Sequence, residues 1–481
     1  MHNLLIFISE LVWDSVIIYL LLGTGIWFTL TTRFVQFRTL TALWQALQTR
    51  IRSTSEGISP VQALCLSLAG RAGSGNLPGV ALALIAGGPG ALFWMWISGI
   101  IGMASAYAEG TLAQLFKTRD EQGMFRGGPA WYITWGLGLR GIGVVFAILL
   151  IVTFGLLYNS MQAQTIAISV AEKSTLPPTL IAMMVAALTG IMLLAGARGI
   201  ARLCQWLVPL LALTWVGLSI WMVVSHASRL PEVFQLVING AFGWQQAVAG
   251  VLSYSLNQAL TNGLQRGMFI NEAGLGVSPH AAGMALARPA HPVFQGLIQM
   301  IGVIIDSIIL SSATAAIVLF SGIDLDVSNN ISGEMLLRQA VESVPCPSTG
   351  GLVIIVLALS TWLSLLANYL YAESNLRFLV KQANPWVTGL KIVTIGVVMA
   401  GAITPLPTLW QVANLLVPVM ALLNISAILL LSPVVRTLTS DYYRQRKLGI
   451  TPVFVAHRHP QLAQILPPGV WVDNANDKTS R

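Results

Sequence analysis

Ala69-Gly-Arg-Ala-Gly-Ser-Gly-Asn-Leu-Pro-Gly-Val-Ala-Leu-Ala83 interrupts an apolar segment of membrane-spanning length with Gly70, Gly73, Gly75 and Gly79, Pro78 and the charged Arg71. A plain transmembrane helix cannot carry that run at low cost, because glycine and proline weaken or break it. The stretch therefore predicts a helix broken in the middle of a bilayer. Unwound backbone is tolerated at that depth only where protein buries it or it lines a cavity, and its freed carbonyl and N–H groups can then bind an ion and a carboxylate. Those are the requirements of a transport site.

The remaining sequence agrees with that reading. Of 481 residues, 55% are hydrophobic and 9% charged, against about 25% charged in a soluble domain. The fold class expected is an all-α integral membrane protein. Met1 to Glu10 carry no basic n-region and no small-residue cleavage site before the apolar run that begins at Leu11, so a removed signal peptide is not expected. Cys65, Cys204 and Cys346 are scattered and fit neither a disulfide framework nor a metal cluster. They read as packing residues.

Apolar segments of about 20 residues lie at 11–31, 60–85, 91–112, 142–163, 178–197, 204–224, 244–276, 294–320, 351–371, 387–403 and 409–432, which makes about eleven spans. With the C-terminus in the cytoplasm and the N-terminus outside, basic residues concentrate on one side: Arg33 to Arg52, Lys117 to Arg140, Arg198, Arg202, Arg288, Arg377, Lys381 and the tail around Arg436 to Lys447. Only Lys173, Arg229 and Arg338 fall on the other. That bias obeys the positive-inside rule and places a multi-pass protein in the cell inner (plasma) membrane. It also accounts for the net charge of +8 without a nucleic-acid partner. Leu40, Leu43, Trp44, Leu47 and Ile51 recur at helical spacing and predict an interfacial amphipathic helix. The 113–141 loop, with Phe125-Arg-Gly-Gly-Pro-Ala-Trp-Tyr132, suits a short element or an anchor at the headgroup level, and the 321–350 loop is acidic.

A second interrupted segment, 244–276, ends in Asn257-Gln-Ala-Leu-Thr-Asn-Gly-Leu-Gln-Arg-Gly-Met-Phe-Ile-Asn-Glu-Ala-Gly-Leu-Gly276. Its polar residues require a polar interior or cavity at membrane depth. It is the seventh span where the first interruption is the second. Two broken helices five spans apart predict a five-plus-five inverted repeat with one extra N-terminal helix. The chain then divides into 1–59 (extra helix and cytoplasmic amphipathic linker), 60–224 and 225–432 (the two five-helix repeats), and 433–481 (a polar, partly irregular cytoplasmic tail).

Arg71-Ala-Gly-Ser-Gly-Asn-Leu-Pro-Gly-Val-Ala81, Gly87-Gly-Pro-Gly-Ala-Leu-Phe-Trp-Met-Trp96 with Gly102-Met103, and Arg266-Gly-Met-Phe-Ile-Asn-Glu-Ala-Gly-Leu-Gly276 together resemble the alanine or glycine:cation symporter family, the sodium:alanine symporters. The resemblance covers nearly the whole chain. It implies the leucine-transporter-type fold of the amino acid–polyamine–cation superfamily, and import of a small neutral amino acid, alanine or glycine, driven by a cation gradient. It places substrate contacts on Gly73, Ser74, Gly75 and Asn76, on Gln162 and at Asn368. Cation contacts fall at Ala72, Gly73 and Ser364. Two departures stand in Trp362-Leu-Ser-Leu-Leu-Ala-Asn368. Leu363 removes a hydroxyl next to Ser364, which leaves proton coupling as the alternative to sodium, a hard cation that wants several oxygens. Asn368 replaces the family's pocket tryptophan and implies a larger, more polar pocket.

Asp306, in the middle of its span, is a cation or proton site by default, or else a buried partner for Arg71 or Arg266. Glu272 could pair with the same arginines or cap neighbouring backbone. Glu109 and Glu373 read as solvated or interfacial residues near cytoplasmic helix ends, and Asp14 as interfacial. The histidines lie in loops or termini without metal-ligand spacing. A membrane enzyme would need a nucleophile and base, or a metal cluster, at membrane depth, and a channel would need charged rings or a filter. The only clustered polar groups belong to the two broken helices. The expectation is a secondary symporter, not an enzyme, with no organic cofactor and a lipid bilayer, an amino acid and Na+ or H+ as its partners.

Overall fold

In the computed structural model, residues 16–38, 53–73, 77–171, 174–243, 256–286, 289–323, 325, 333–343, 349–402, 404 and 406–471 are described. The amphipathic helix expected at 40–51, Asp14 and Cys346 lie outside them. Nearly everything else is helix. The helices used below are α1 (Ile18–Thr31), α2 (Pro60–Arg71), α3 (Leu77–Gly87), α4 (Ala91–Leu115), α5 (Arg140–Leu150), α6 (Asn159–Ala171), α7 (Pro178–Ser225), α8 (Leu230–Phe242), α9 (Leu256–Asn271), α10 (Pro279–Met284), α11 (Val293–Ile304), α12 (Ser311–Ser321), α13 (Gly333–Glu342), α14 (Thr349–Leu379), α15 (Asn384–Gly401), α16 (Leu406–Leu430) and α17 (Ser432–Lys447). Wide π-helical turns join α5 to α6 and α11 to α12. Among the described residues, five helical stretches are long and apolar enough to cross a membrane: Ala91–Leu115, Arg140–Ala171, Pro178–Ser225 (kinked at Gly196), Val293–Ser321 and Gly350–Leu379.

Burial sorts these helices into a centre and a shell. Every residue of α4 from Gly102 to Leu115 is buried, as befits a helix packed on all sides. It lies along α9 and α11. The outer helices α1 and α7 expose Trp27, Leu30, Leu194, Trp206 and Leu213. Apolar surface on that scale is a membrane-facing surface. Contacts are close where small residues permit it: a Cβ on Gly90 would lie 2.2 Å from the backbone of Gly240, the last turn of α8.

Two segments show where they break. The segments 178–197 and 204–224 are the two halves of α7, helices that meet across a kink at Gly196, whose φ of 67° and ψ of −173° only glycine adopts easily. Arg198 and Arg202 lie just past that kink. In the seventh segment the break falls late. Asn257 and Gln258 are exposed at the start of α9, and the helix continues to Asn271.

The loop from 113 to 141 contains a two-residue antiparallel ribbon, β1 (Thr118–Arg119) with β2 (Phe125–Arg126). Asp120 shapes its turn by accepting from the N–H groups of Gln122 (2.9 Å) and Met124 (3.0 Å). The acidic loop carries α13, which packs on α3. The tail is more ordered than its composition suggests. α16 and α17 meet at 55°, and the chain beyond α17 folds back: the amide of Gln445 brackets Val453, Phe454 N–H donates to the Ala290 carbonyl (2.8 Å), and Trp471 Nε1 donates to Leu115 O (2.9 Å).

Candidate substrate and cation site

The first break is built from the sequence around α2. Ser59 and Gln62 form a reciprocal capping box and Pro60 opens the first turn, so the helix start is fixed. Its end is exposed chemically, because the last carbonyls of a helix have no partner within it. α14 supplies partners. Ser364 Oγ donates to the Gly70 carbonyl (2.9 Å) and the Tyr371 hydroxyl to that of Leu66 (3.2 Å). From α6, Gln162 Nε2 donates to Ser364 Oγ (3.0 Å).

The two side chains converge on Gly73. A Cβ there would stand 2.2 Å from Gln162 Nε2 and 2.6 Å from Ser364 Oγ, so any larger residue would have to displace both side chains. Gly73, Gln162 and Ser364, three sequence-derived candidates from three separate segments, thus meet at one point. Asn368 lies one turn beyond Ser364, is buried, and its Oδ1 has no hydrogen-bond partner. Ser74, Gly75 and Asn76 lie outside the described residues.

Arg71 and Asp306 form an ion pair at 3.2 Å with both side chains fully buried. Gly302, one turn before Asp306, leaves room for it: a Cβ there would lie 2.8 Å from Arg71 Nη1. Nε and Nη2 of Arg71 have no hydrogen-bond partner. Two small cavities flank the break. One, about 20 Å³, is bordered by Gly70, Arg71, Gly73, Tyr158, Gln162 and Glu272; the other, about 30 Å³, by Ala72, Leu77, Asp306, Ser360 and Leu363. Each has room for about one water. An amino acid can enter only if the neighbouring helices or side chains move.

The second break follows α9. Glu272 adopts φ 51°, and Gly274 and Gly276 follow at 92° and 81°. Glu109 holds this turn. Its carboxylate accepts from the N–H groups of Gly274 and Gly276, each at 3.0 Å, and from Asn424 Nδ2 at 2.6 Å. Asn424 in turn donates to Gly274 O (2.8 Å) and accepts from the Tyr132 hydroxyl. A Glu272 oxygen, Oε2, is buried without a hydrogen-bond partner.

The sodium:alanine symporter family matches residues 1–456. The chain belongs to that family. Symporters of this family are membrane transporters, so the protein is a multi-pass transporter and not an enzyme, and the family implies an amino-acid substrate and a coupling cation. An uncharacterized transporter of Escherichia coli, YaaJ, is 44% identical over 97% of this chain and 98% of its own length. A probable sodium/glutamine symporter of Bacillus subtilis, GlnT, is 38% identical over 93% and 91%. A sodium/alanine symporter of Methanococcus maripaludis, AgcS, is 31% identical over 92% and 97%.

Two carboxylates of this symporter-family chain contradict their sequence reading. Glu109 is 1% exposed and secures the second break instead of facing solvent. Its position between Ala108 and Gly110 in an apolar helix was the available signal. Glu373 is also buried and pairs with Arg126 (3.1 Å) and Arg377 (2.8 Å); Arg126 also reaches Asp120 (2.9 Å). His280 is equally internal, bonded through Nε2 to Asn375 (2.8 Å).

Proposed function

We propose that the protein is a secondary active symporter that imports a small neutral amino acid, alanine or glycine, with sodium. The observation that supports it most is the convergence of Gln162 and Ser364 on Gly73 at a helix break. In this reading the substrate occupies the stretch Gly73 to Asn76, with Gln162 and Asn368 alongside. Its carboxylate takes N–H donors at the start of the following half-helix, where the dipole favours negative charge. The cation sits among oxygens from Ala72, Gly73, Ser364 and Asp306; Ala72 and Asp306 border the same cavity. Each ligand favours the closed arrangement of the other, a coupling that is reciprocal.

The architecture proposed with it is a leucine-transporter-type five-plus-five repeat of about eleven spans, 60–224 and 225–432, after an extra helix in 1–59 and before the tail 433–481. The N-terminus lies outside and the C-terminus in the cytoplasm. The ribbon, Arg126, Arg377 and the tail share one end of the bundle, which fits positive-inside placement. A second reading, proton-coupled import of another small neutral amino acid, draws on Leu363 and Asn368. Leu363 borders the cation cavity where a further hydroxyl would help sodium, and the unpartnered Asn368 Oδ1 offers an acceptor to a polar side chain.

Uptake of radiolabelled alanine and glycine into proteoliposomes under an imposed sodium or proton gradient tests both. Uphill uptake with sodium alone supports the first reading. Uphill uptake with protons alone replaces it with the second.

A further inference from the structure

A cavity of about 590 Å³ lies away from both breaks. It lies where α17 turns away from α16, between the end of α1, the outward face of α17 and the returning tail. Trp27 and Thr31 of α1, Arg436, Ser440 and Arg444 of α17, and His459 of the tail border it. α17 is amphipathic. Val435, Leu438 and Tyr442 are buried, whereas Arg436, Ser440, Arg444 and Lys447 form an exposed stripe at three- and four-residue spacing, with Thr437 beside it.

Charge in the cavity is unbalanced. Asp441 also borders it, but Oδ1 is taken by Arg444 (2.9 Å) and Oδ2 by Gln445 (2.8 Å). Arg436 makes no ion pair or hydrogen bond among the described residues. The Ser440 hydroxyl adds a neutral donor, whereas those of Thr31 and Thr437 already donate to the Trp27 and Pro433 carbonyls. The unpaired Arg436 guanidinium and the Ser440 hydroxyl, with the remaining N–H donors of Arg444 beside them, match a phosphate diester or monoester in one concave site. On the α1 side the surface continues as exposed Ile26, Trp27 and Leu30. An interfacial tryptophan beside acyl-length apolar surface marks the headgroup level of a bilayer.

We propose that this cavity binds the phosphate-bearing headgroup of an anionic phospholipid, with Arg436 as its principal charge and the lipid tails along α1. The site is separate from the transport site and requires only that α1 and α16 cross the bilayer. Basic pockets between helices on the cytoplasmic side are a recognised setting for such headgroups. Occupancy would brace the junction of α16 and α17, and with it the tail that α17 carries.

The test is a melting-temperature titration of the purified full chain in neutral detergent with short-chain phosphatidylglycerol, with short-chain phosphatidylcholine, or with inorganic phosphate. Phosphatidylglycerol should raise the melting temperature above the phosphatidylcholine baseline, and inorganic phosphate should not. Arg436→Gln should weaken the apparent phosphatidylglycerol affinity about fivefold, the effect of one basic residue at a membrane surface. Ser440→Trp, which fills the cavity from an exposed position, should remove the difference between the two lipids. Equal responses to the two lipids, or an unchanged titration in both variants, would overturn the proposal. Stabilisation by inorganic phosphate alone equal to that of phosphatidylglycerol would overturn the lipid as occupant and assign the site to free phosphate.

Discussion

A methyl group on Gly73 would occupy the space held by Gln162 Nε2 and Ser364 Oγ, so Gly73→Ala should remove uptake while leaving a folded protein. Uptake and melting temperature, measured on the same preparation, check this. Native-like uptake would show that the contact is dispensable. Asp306→Asn makes a different prediction. It leaves the buried Arg71 cation without its counter-charge, and breaking one partner of a buried pair costs about 3 to 5 kcal/mol. The variant should therefore melt well below wild type, and the double variant Arg71→Met, Asp306→Leu should recover much of that loss. At this scale the sequence was informative wherever a residue broke a local rule. Arg71 and Asp306 stand out in apolar segments, and Gly73 stands out in a helix. Their pairing was one of two arginine choices, because 235 residues separate the partners and no local pattern spans that distance.

The two breaks are held differently at the level of the elements. The first is closed by α14 side chains on helix carbonyls, with Gln162 of α6 on Ser364; the second is closed by the Glu109 carboxylate on backbone N–H groups. Bonds to a charged group contribute about 1.5 to 3 kcal/mol each. Glu109→Gln keeps the shape but can accept at only one oxygen, so the turn at 272–276 should loosen. Hydrogen exchange of the Gly274 and Gly276 amides should accelerate in the variant; unchanged exchange would mean that Asn424 alone secures the turn. The position of the breaks was legible from glycine and proline. Their fastening was not, since Glu109 on α4 serves a turn 165 residues away and resembles, in sequence, any carboxylate near a helix end.

Across the whole molecule, the tail ties together the loops at its own end of the bundle. Asp441 stands 3.4 Å from His291 Nε2 and 3.7 Å from His459 Nε2, with Arg444 on its other oxygen. Burial raises the Asp441 pKa, but hydrogen bonds from His291, Gln445 and Arg444 outweigh it and hold the carboxyl below the usual range. Burial also keeps His291 below its ordinary value, against the opposing pull of Asp441. Val293 N–H donates to Nδ1 of His291 (3.2 Å), so the neutral ring carries its proton on Nε2, toward Asp441. The docked state therefore disfavours the histidinium form. An undocked His291 takes up a proton below about pH 6.5, so docking is fully stable above that pH and weakens as pH falls through it. Limited proteolysis within 448–471 should be faster at pH 5.5 than at pH 7.5, and His291→Gln should flatten the difference. Equal rates in wild type would contradict this linkage. The tail's composition gave no sign of this order, because its contacts, Phe454 with Ala290 and Trp471 with Leu115, are made to distant segments.

The measurement that tests the central claim most directly is equilibrium binding of radiolabelled alanine to the purified protein, with and without sodium, in wild type and Ser364→Ala. If the break at Gly73 is where substrate and cation meet, sodium should tighten alanine binding in wild type, and loss of the Ser364 hydroxyl should remove most of that gain while weaker alanine binding persists. Alanine binding that ignores sodium in wild type, or keeps its full sodium dependence in Ser364→Ala, would contradict the account.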